Sequence, residues 1–132
     1  SLGFRILGRE TRVSGIAPIL WDEDRKVDIA RIANATAKLL ECDLELSPSD
    51  ILSSDEYIGD RYGVLTQEGR DALKLVAETE GIFLDPVYTS KAMAGMIDQI
   101  RKGIIKKNET VVFIHTGGLP ALFAYAEDLM LS

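Results

Sequence analysis

Apolar residues recur at two different spacings in the first half of the chain, and each spacing predicts a different element. Residues 12–20 are rich in valine and isoleucine but are broken by Gly15 and Pro18, which predicts a short strand from Val13 to Ile16 followed by a loop. From Val27 to Leu40 the apolar residues recur every three or four positions, which predicts an amphipathic helix opened by the acidic run 22–24. The apolar pair Ile51-Leu52 is consistent with a further short strand.

The second half of the chain continues this alternation. One helix is predicted from an N-cap at Thr66 to a terminal Gly81, and another begins at Thr89 or Ser90. The continuous apolar run 111–114 predicts a strand buried on both faces, and the proline at residue 120 suits the start of a final helix. The sequence therefore predicts one α/β domain over residues 1–132, with three layers, a mainly parallel sheet and helices on both faces.

Composition and charge narrow the classes of function. The chain has 46% hydrophobic and 27% charged residues, which is typical of a folded soluble protein. A net charge of −6 disfavours nucleic acid or an anionic membrane as a partner. No apolar run is long enough to cross a bilayer. Only one cysteine is present and no signal pattern is seen, so we expect a cytoplasmic protein.

The turn from His115 to Pro120 is the first candidate for chemistry. It connects a predicted buried strand to the helix that follows. In open α/β sheets, ligands bind at the carboxyl ends of the strands. Gly117 and Gly118 would let a ligand approach the backbone, and Thr116 supplies a hydroxyl. A plain strand-to-helix turn explains the same residues equally well. A single histidine without nearby cysteine or histidine is not a metal site, so no metal is expected.

Two tyrosine-bearing segments are further candidates. In the run Asp85–Thr89, an Asp-Pro turn would aim Tyr88 from a helix N-terminus, although a packing tyrosine is the simpler interpretation. The long polar loop 57–63 carries Tyr62 and could line a cleft, but a surface loop is the simpler interpretation here too.

Taken together, three collinear segments resemble the family of D-cysteine desulfhydrases and 1-aminocyclopropane-1-carboxylate (ACC) deaminases. These segments are residues 80–98 (EGIFLDPVYTSKAMAGMID), residues 113–125 (FIHTGGLPALFAY), and residues 62–64 with the Glu-Gly pair at 68–69. The resemblance implies a fold-type II enzyme dependent on pyridoxal phosphate, with the architecture of the tryptophan synthase β subunit. It covers roughly the last 75 residues, whereas the first 45 fit only in the order of their elements.

The resemblance also implies roles for individual residues. Thr116 matches the neutral hydroxyl that faces the pyridine nitrogen of the cofactor in some members, a partner that leaves the ring a weaker electron sink. Gly117 and Leu119 would pack near the cofactor, and Thr89 belongs to the same cofactor-binding set. Tyr62 and Tyr88 match the two tyrosines of the substrate pocket, and Tyr88 is the candidate for handling a proton. The corners bearing Thr116 and Tyr88 should therefore converge on one cleft.

Two positions distinguish the members of this family. The deaminases carry an acidic residue where this chain has Thr89, and tend to carry an apolar one where it has Thr116. Both differences favour a lyase that splits D-cysteine into pyruvate, hydrogen sulfide and ammonia. An ACC deaminase and a non-catalytic α/β module that binds a small anion remain alternatives.

The resemblance further implies that part of the enzyme lies outside this chain. Family members carry the cofactor-binding lysine and a phosphate-binding loop before the region seen here, and none of the seven lysines has a matching context. Lys91 is predicted to be a surface residue. We therefore expect a C-terminal fragment that cannot bind the cofactor covalently and is inactive alone. Its uncovered apolar faces predict a homo-oligomer.

Overall fold

The computed structural model describes residues 1–21 and 24–130. These residues form two compact units, and each is described by itself. The first unit consists of Ser1–Gly15 and Trp21–Ser54, and the second of Ile16–Leu20 and Asp55–Ser132. Each unit has its own apolar cluster. Asp22 and Glu23, which the sequence predicts to open a helix, lie outside the described residues.

The first unit contains helix α1 (Leu2–Ile6), strand β1 (Ser14–Ile16, whose last residue belongs to the second unit), helix α2 (Arg25–Leu39) and strand β2 (Leu52–Ser54). A carboxylate oxygen of Asp24 accepts the backbone N–H of Lys26 at 2.9 Å, so α2 begins at a conventional N-cap. This agrees with the helix predicted at 27–40. α1 was not predicted.

The buried face of α2 differs from the predicted apolar stripe. Ile32 is 55% exposed, and the buried residues of the helix are Ala30 and Ala37. Ala30 packs with Leu46 and Ile51 because the segment after the helix folds back over its small residues. The predicted stripe is confirmed in part, because Ile29 and Ala33 pack against the same cluster, whereas Ile32 faces outwards.

The second unit is organised around helices α3 (Gln67–Glu80) and α4 (Thr89–Arg101). The Thr66 hydroxyl oxygen accepts the N–H of Gly69 at 3.0 Å, and Gly81 ends α3 with a φ of 65°. Both predicted ends of α3 are therefore confirmed. The two helices share one apolar cluster formed by Ala72, Leu73, Val76, Leu84, Met93 and Ala94.

The predicted strand at 111–114 is wrong for the described residues. Val112 is 80% and Ile114 75% exposed, and the segment forms no strand. A strand needs a neighbouring strand to satisfy its backbone groups, and none in the described part of the chain lies beside this segment. Phe113 alone packs against the apolar cluster. After Pro120 the predicted final helix is divided into α5 (Ala121–Ala124) and α6 (Ala126–Met130).

The two strands pair with each other, and α2 forms the crossover between them. Strands β1 and β2 form a two-stranded sheet. A helical crossover joins parallel strands, so this is the β-α-β arrangement of a parallel sheet. The α/β class predicted from the sequence is confirmed. In the described ranges, no helix has the length and apolar character that a membrane span requires.

Candidate functional site

The turn that leads into α4 is built around the buried carboxylate of Asp85. One oxygen accepts the backbone N–H groups of Val87 and Tyr88, both at 2.8 Å. The other oxygen accepts the backbone N–H of Thr89 at 2.7 Å and its hydroxyl at 2.6 Å. The start of α4 is thus closed by Asp85 and not, as predicted, by the hydroxyl of Thr89 or Ser90.

The electrostatics of Asp85 follow from these bonds. Complete burial would raise the pKa of the carboxyl group, but the hydrogen bonds from Thr89, Tyr88 and Val87 outweigh burial and lower the pKa. The charge-stabilised turn is therefore rigid, and it fixes the backbone of the residue that precedes α4. That residue is Tyr88.

Tyr88 and Tyr62 are brought together, as the resemblance implies. Their hydroxyl groups form a hydrogen bond, and their ring centroids lie 6.0 Å apart at an interplanar angle of 58°. Both side chains are nearly half exposed. The hydrogen bond with Tyr62, followed by partial burial, raises the pKa of Tyr88. Tyr88 therefore keeps its proton at neutral pH and presents a hydroxyl that can donate.

The loop that carries Thr116 packs against the same turn. The backbone N–H of Gly117 donates to Nδ1 of His115 at 3.1 Å, so Nδ1 is an acceptor and the proton lies on Nε2. Nε2 is 2.9 Å from the carbonyl oxygen of Phe83 and donates to it. His115 is therefore a structural link between the two corners.

Gly118 makes the second link between the corners. Its φ is +90°, and a Cβ there would lie 2.7 Å from Cγ of Asp85. The two predicted corners are thus in direct contact. A surface groove of this unit lies between α3 and α4, and neither Tyr88 nor Thr116 lines it.

The remaining predicted site residues occupy different environments. Thr116 is exposed, and Leu119 is 42% exposed. Gly117 has a φ of +94°, and a Cβ on it would meet nothing within 4 Å. Thr89 is buried, and its hydroxyl is engaged with Asp85. Thr116, Gly117 and Leu119 are accessible to a ligand, whereas Thr89 acts through the turn that it closes.

Sequence reasoning missed two anchoring side chains. Lys91 was predicted at the surface but is 1% exposed, and its ammonium group donates to the carbonyl oxygen of Ile58. That prediction is wrong because Lys91 lies on the face of α4 that packs against the segment before α3. The hydroxyl of Tyr125 donates to the carbonyl oxygen of Gly63, next to Tyr62. An uncharged neighbourhood at residues 92–97 was the available signal for Lys91.

The family model for pyridoxal-phosphate dependent enzymes, PALP, matches residues 1–117, which is most of the chain. The chain belongs to this family. Among the described residues of this PALP chain, no group of three or more histidine, cysteine, aspartate or glutamate side chains is arranged to bind a metal.

Curated relatives of the PALP chain carry the name 1-aminocyclopropane-1-carboxylate deaminase. The chain is 40% identical over 126 residues to the protein of Burkholderia vietnamiensis, which covers 96% of the chain and 37% of the relative. It is 41% identical over 124 residues to the protein of Methylobacterium nodulans, covering 94% and 37%. The PALP chain therefore spans little more than a third of the length of these relatives.

A solved structure supports the same fold. The crystal structure described as an ACC deaminase homologue superposes with a TM-score of 0.83 at 36% identity, covering 98% of this PALP chain and 38% of that chain. The predicted resemblance to this family, and its α/β fold, are confirmed.

The residues present fit one side of pyridoxal phosphate. Thr116 offers an exposed neutral hydroxyl that has no hydrogen-bond partner among the described residues. The open space where Gly117 would carry a Cβ leaves room for a flat ring beside the backbone. Leu119 adds an exposed apolar surface next to both. These three residues would hold the ring edge of the cofactor.

Proposed function

We propose that this chain forms the C-terminal part of a pyridoxal-phosphate enzyme that releases ammonia from ACC. The observation that carries the proposal is the contact between the two corners, which sets the Tyr62–Tyr88 pair and Thr116 on one part of the second unit. The deaminase names of relatives at about 40% identity support the substrate.

Each residue has a defined part in this proposal. The cofactor, when bound, supplies an electron sink for the carbon bonds of an amino acid. The Thr116 hydroxyl would face the pyridine nitrogen and, being neutral, would not hold a proton there. Tyr88 orients the substrate and holds a proton on its hydroxyl, which its raised pKa keeps in place. Tyr62 fixes the direction of that hydroxyl through the bond between the two phenols.

A second candidate function is the cleavage of D-cysteine to pyruvate, hydrogen sulfide and ammonia. Residue 89, directly after Tyr88, is a threonine and not an acidic residue, and its hydroxyl donates to Asp85 at 2.6 Å. The deaminases of the family, as the resemblance implies, carry an acidic residue at this position. Thr116 is a second departure from their pattern. These two side chains favour the desulfhydrase.

The test is an assay of the full-length protein that contains this chain, loaded with pyridoxal phosphate. Ammonia from ACC supports the deaminase, whereas ammonia and sulfide from D-cysteine support the second candidate. Tyr88→Phe should abolish whichever activity is found, and Thr79→Val, which removes an exposed hydroxyl near the end of α3, should retain it. Absence of both activities and of cofactor binding would overturn the proposal in favour of a non-catalytic binding module.

We also propose the cytoplasm as the location of the full-length protein. The support is compositional: Cys42 is a free thiol and the only cysteine in the chain. Imaging the tagged full-length protein, or fractionating the cells that make it, tests this.

A further inference from the structure

Lys91 is buried in a manner that needs an explanation. Its side chain is 1% exposed, and its ammonium group donates to the backbone carbonyl of Ile58. No carboxylate within the described residues forms an ion pair with it. Burial lowers the pKa of Lys91. A buried ammonium is costly unless it is paired and hydrogen-bonded, and among the described residues its partner is the carbonyl oxygen of Ile58.

The face of α4 around Lys91 holds the segment that precedes α3. Gly95 and Asp98 lie four and seven residues after Lys91 and therefore share its side of the helix. The Tyr57 hydroxyl donates to Asp98 at 2.6 Å. A Cβ on Gly95 would lie 3.0 Å from the Tyr57 ring, so only glycine allows this approach. Consecutive residues, Tyr57 and Ile58, are thus fixed to one helix face.

The same segment carries Tyr62 towards Tyr88. Gly59, with a φ of +76°, turns the chain so tightly that a Cβ would lie 2.4 Å from Cγ2 of Thr66. On the other side of Tyr62, the Tyr125 hydroxyl holds the carbonyl of Gly63. Tyr62 therefore lies between two anchored points of the backbone, and its hydroxyl bonds to that of Tyr88.

Lys91 and Tyr88 stand close together in the sequence of α4. Tyr88 is the N-cap residue of the helix, and Lys91 is its third residue. One short stretch of backbone therefore carries one tyrosine of the pair and also the ammonium group that fixes the loop bearing the other. A displacement of Ile58 would therefore also displace Tyr62, which lies four residues later in the same segment.

We propose that Lys91 is a positioning residue that sets Tyr62 against Tyr88 by holding the carbonyl of Ile58. The consequence for catalysis rests on the proposed function, whereas the positioning itself does not. Lys91→Met tests it, because methionine keeps an unbranched apolar stem and removes the ammonium group. Replacing a buried charged group by an apolar one of similar size is often tolerated. Lys74→Met, at an exposed position on α3, is the matched control.

The readout is the titration of the Tyr88 phenol in the 132-residue chain, followed by NMR with carbon-13 at Cζ of tyrosine. Lys91→Met should lower the Tyr88 midpoint towards that of the Tyr62→Phe variant, because the hydrogen bond with Tyr62 is the largest cause of the raised pKa of Tyr88. In a Tyr62→Phe background, Lys91→Met should cause no further shift. Lys91→Arg, which keeps a charged donor, should restore much of the wild-type midpoint.

Two results would overturn the proposal. One is an unchanged Tyr88 midpoint in Lys91→Met. The other is an equal shift with and without Tyr62, which would mean general damage to the second unit. If Lys91→Met does not fold, the wild-type chain is titrated instead. The NMR chemical shifts of the carbonyl carbon of Ile58 and of Cζ of Tyr62 should both change as Lys91 loses its proton. An Ile58 carbonyl shift that does not respond would contradict the proposal.

These measurements need neither cofactor nor substrate, so they separate this inference from the proposed function. In the full-length enzyme, Lys91→Met should lower kcat with little change in KM, because the substrate-binding groups remain. A full-length protein without activity would remove the proposed function and leave the Tyr88 titration to decide the role of Lys91.

Discussion

Gly118 lies so close to Asp85 that a Cβ at residue 118 would be 2.7 Å from the carboxylate carbon. Gly118→Ala should therefore lower the free energy of unfolding by about 3 kcal/mol, because it combines backbone strain at positive φ with a clash against a buried side chain. Gly117→Ala is the matched control, since its φ is similar but its Cβ meets nothing.

Gly117→Ala should lower the free energy of unfolding by only about 1 kcal/mol, which is the contribution of backbone strain alone. Denaturation by urea measures both variants. If the two variants lose equal stability, the contact between the corners does not exist as described.

Asp85→Asn should destabilise the protein by about 3 kcal/mol at neutral pH, because the turn loses hydrogen bonds to a charged, buried acceptor. The folded state lowers the pKa of Asp85 from its ordinary 3.8. Its stabilisation is therefore complete above pH 3.8 and is lost as the pH falls through the folded-state pKa.

The difference between wild type and Asp85→Asn should accordingly shrink in acid. Unfolding curves at several pH values measure it, with Asp60→Asn at an exposed position as the control. A difference that stays constant down to the lowest accessible pH would count against the charged state of Asp85.

Asp98→Asn should lower the pKa of Tyr57, which is raised to about 12. Burial is the largest cause of the raised pKa of Tyr57, and burial is unchanged in this variant. The pKa should therefore fall only part of the way towards the ordinary 10.0. Ultraviolet titration of the phenols measures the change. Lys102→Met, which removes the ion pair at 2.7 Å but keeps the acceptor, should leave Tyr57 close to the wild type. Equal behaviour of the two variants would contradict the bond to Asp98.

The exposed apolar residues after α4 should drive self-association of the isolated chain. Val112, Ile114 and Phe123 are each at least 75% exposed, and patches of this kind favour association. Analytical ultracentrifugation should show a dimer or larger species at micromolar concentration. The variant Val112→Ser with Ile114→Ser should move it towards the monomer, and Leu39→Ser, also exposed, is the control. A wild type that stays monomeric would refute this.

Elements whose signals are local were predictable from the sequence. α3 is specified by the Thr66 cap, the apolar spacing along the helix and Gly81, all of which lie within or next to the helix itself. The structure of segment 111–114 was not predictable, because an apolar run becomes a strand only beside a partner strand. Val112 and Ile114 of this segment are exposed instead. The local sequence pattern does not show whether such a partner strand is present.

The candidate site divides in the same manner. The Asp-Pro-Val-Tyr-Thr turn could be predicted because Asp85 binds residues at most four positions away. The Tyr62–Tyr88 pair was foreseen only through the family resemblance, since 26 residues separate the two phenols. Burial of Lys91 depends on Ile58, 33 residues earlier, and spacing along α4 alone could not reveal it.

We propose that this chain supplies one wall of a pyridoxal-phosphate site and that the lysine that binds the cofactor lies outside residues 1–132. Borohydride reduction in the presence of pyridoxal phosphate, followed by peptide mapping, tests it most directly in the isolated chain and in the full-length protein. We expect one stoichiometric lysine adduct in the full-length protein, outside this segment, and none in the isolated chain. A stoichiometric adduct on any of the seven lysines of this chain would contradict it.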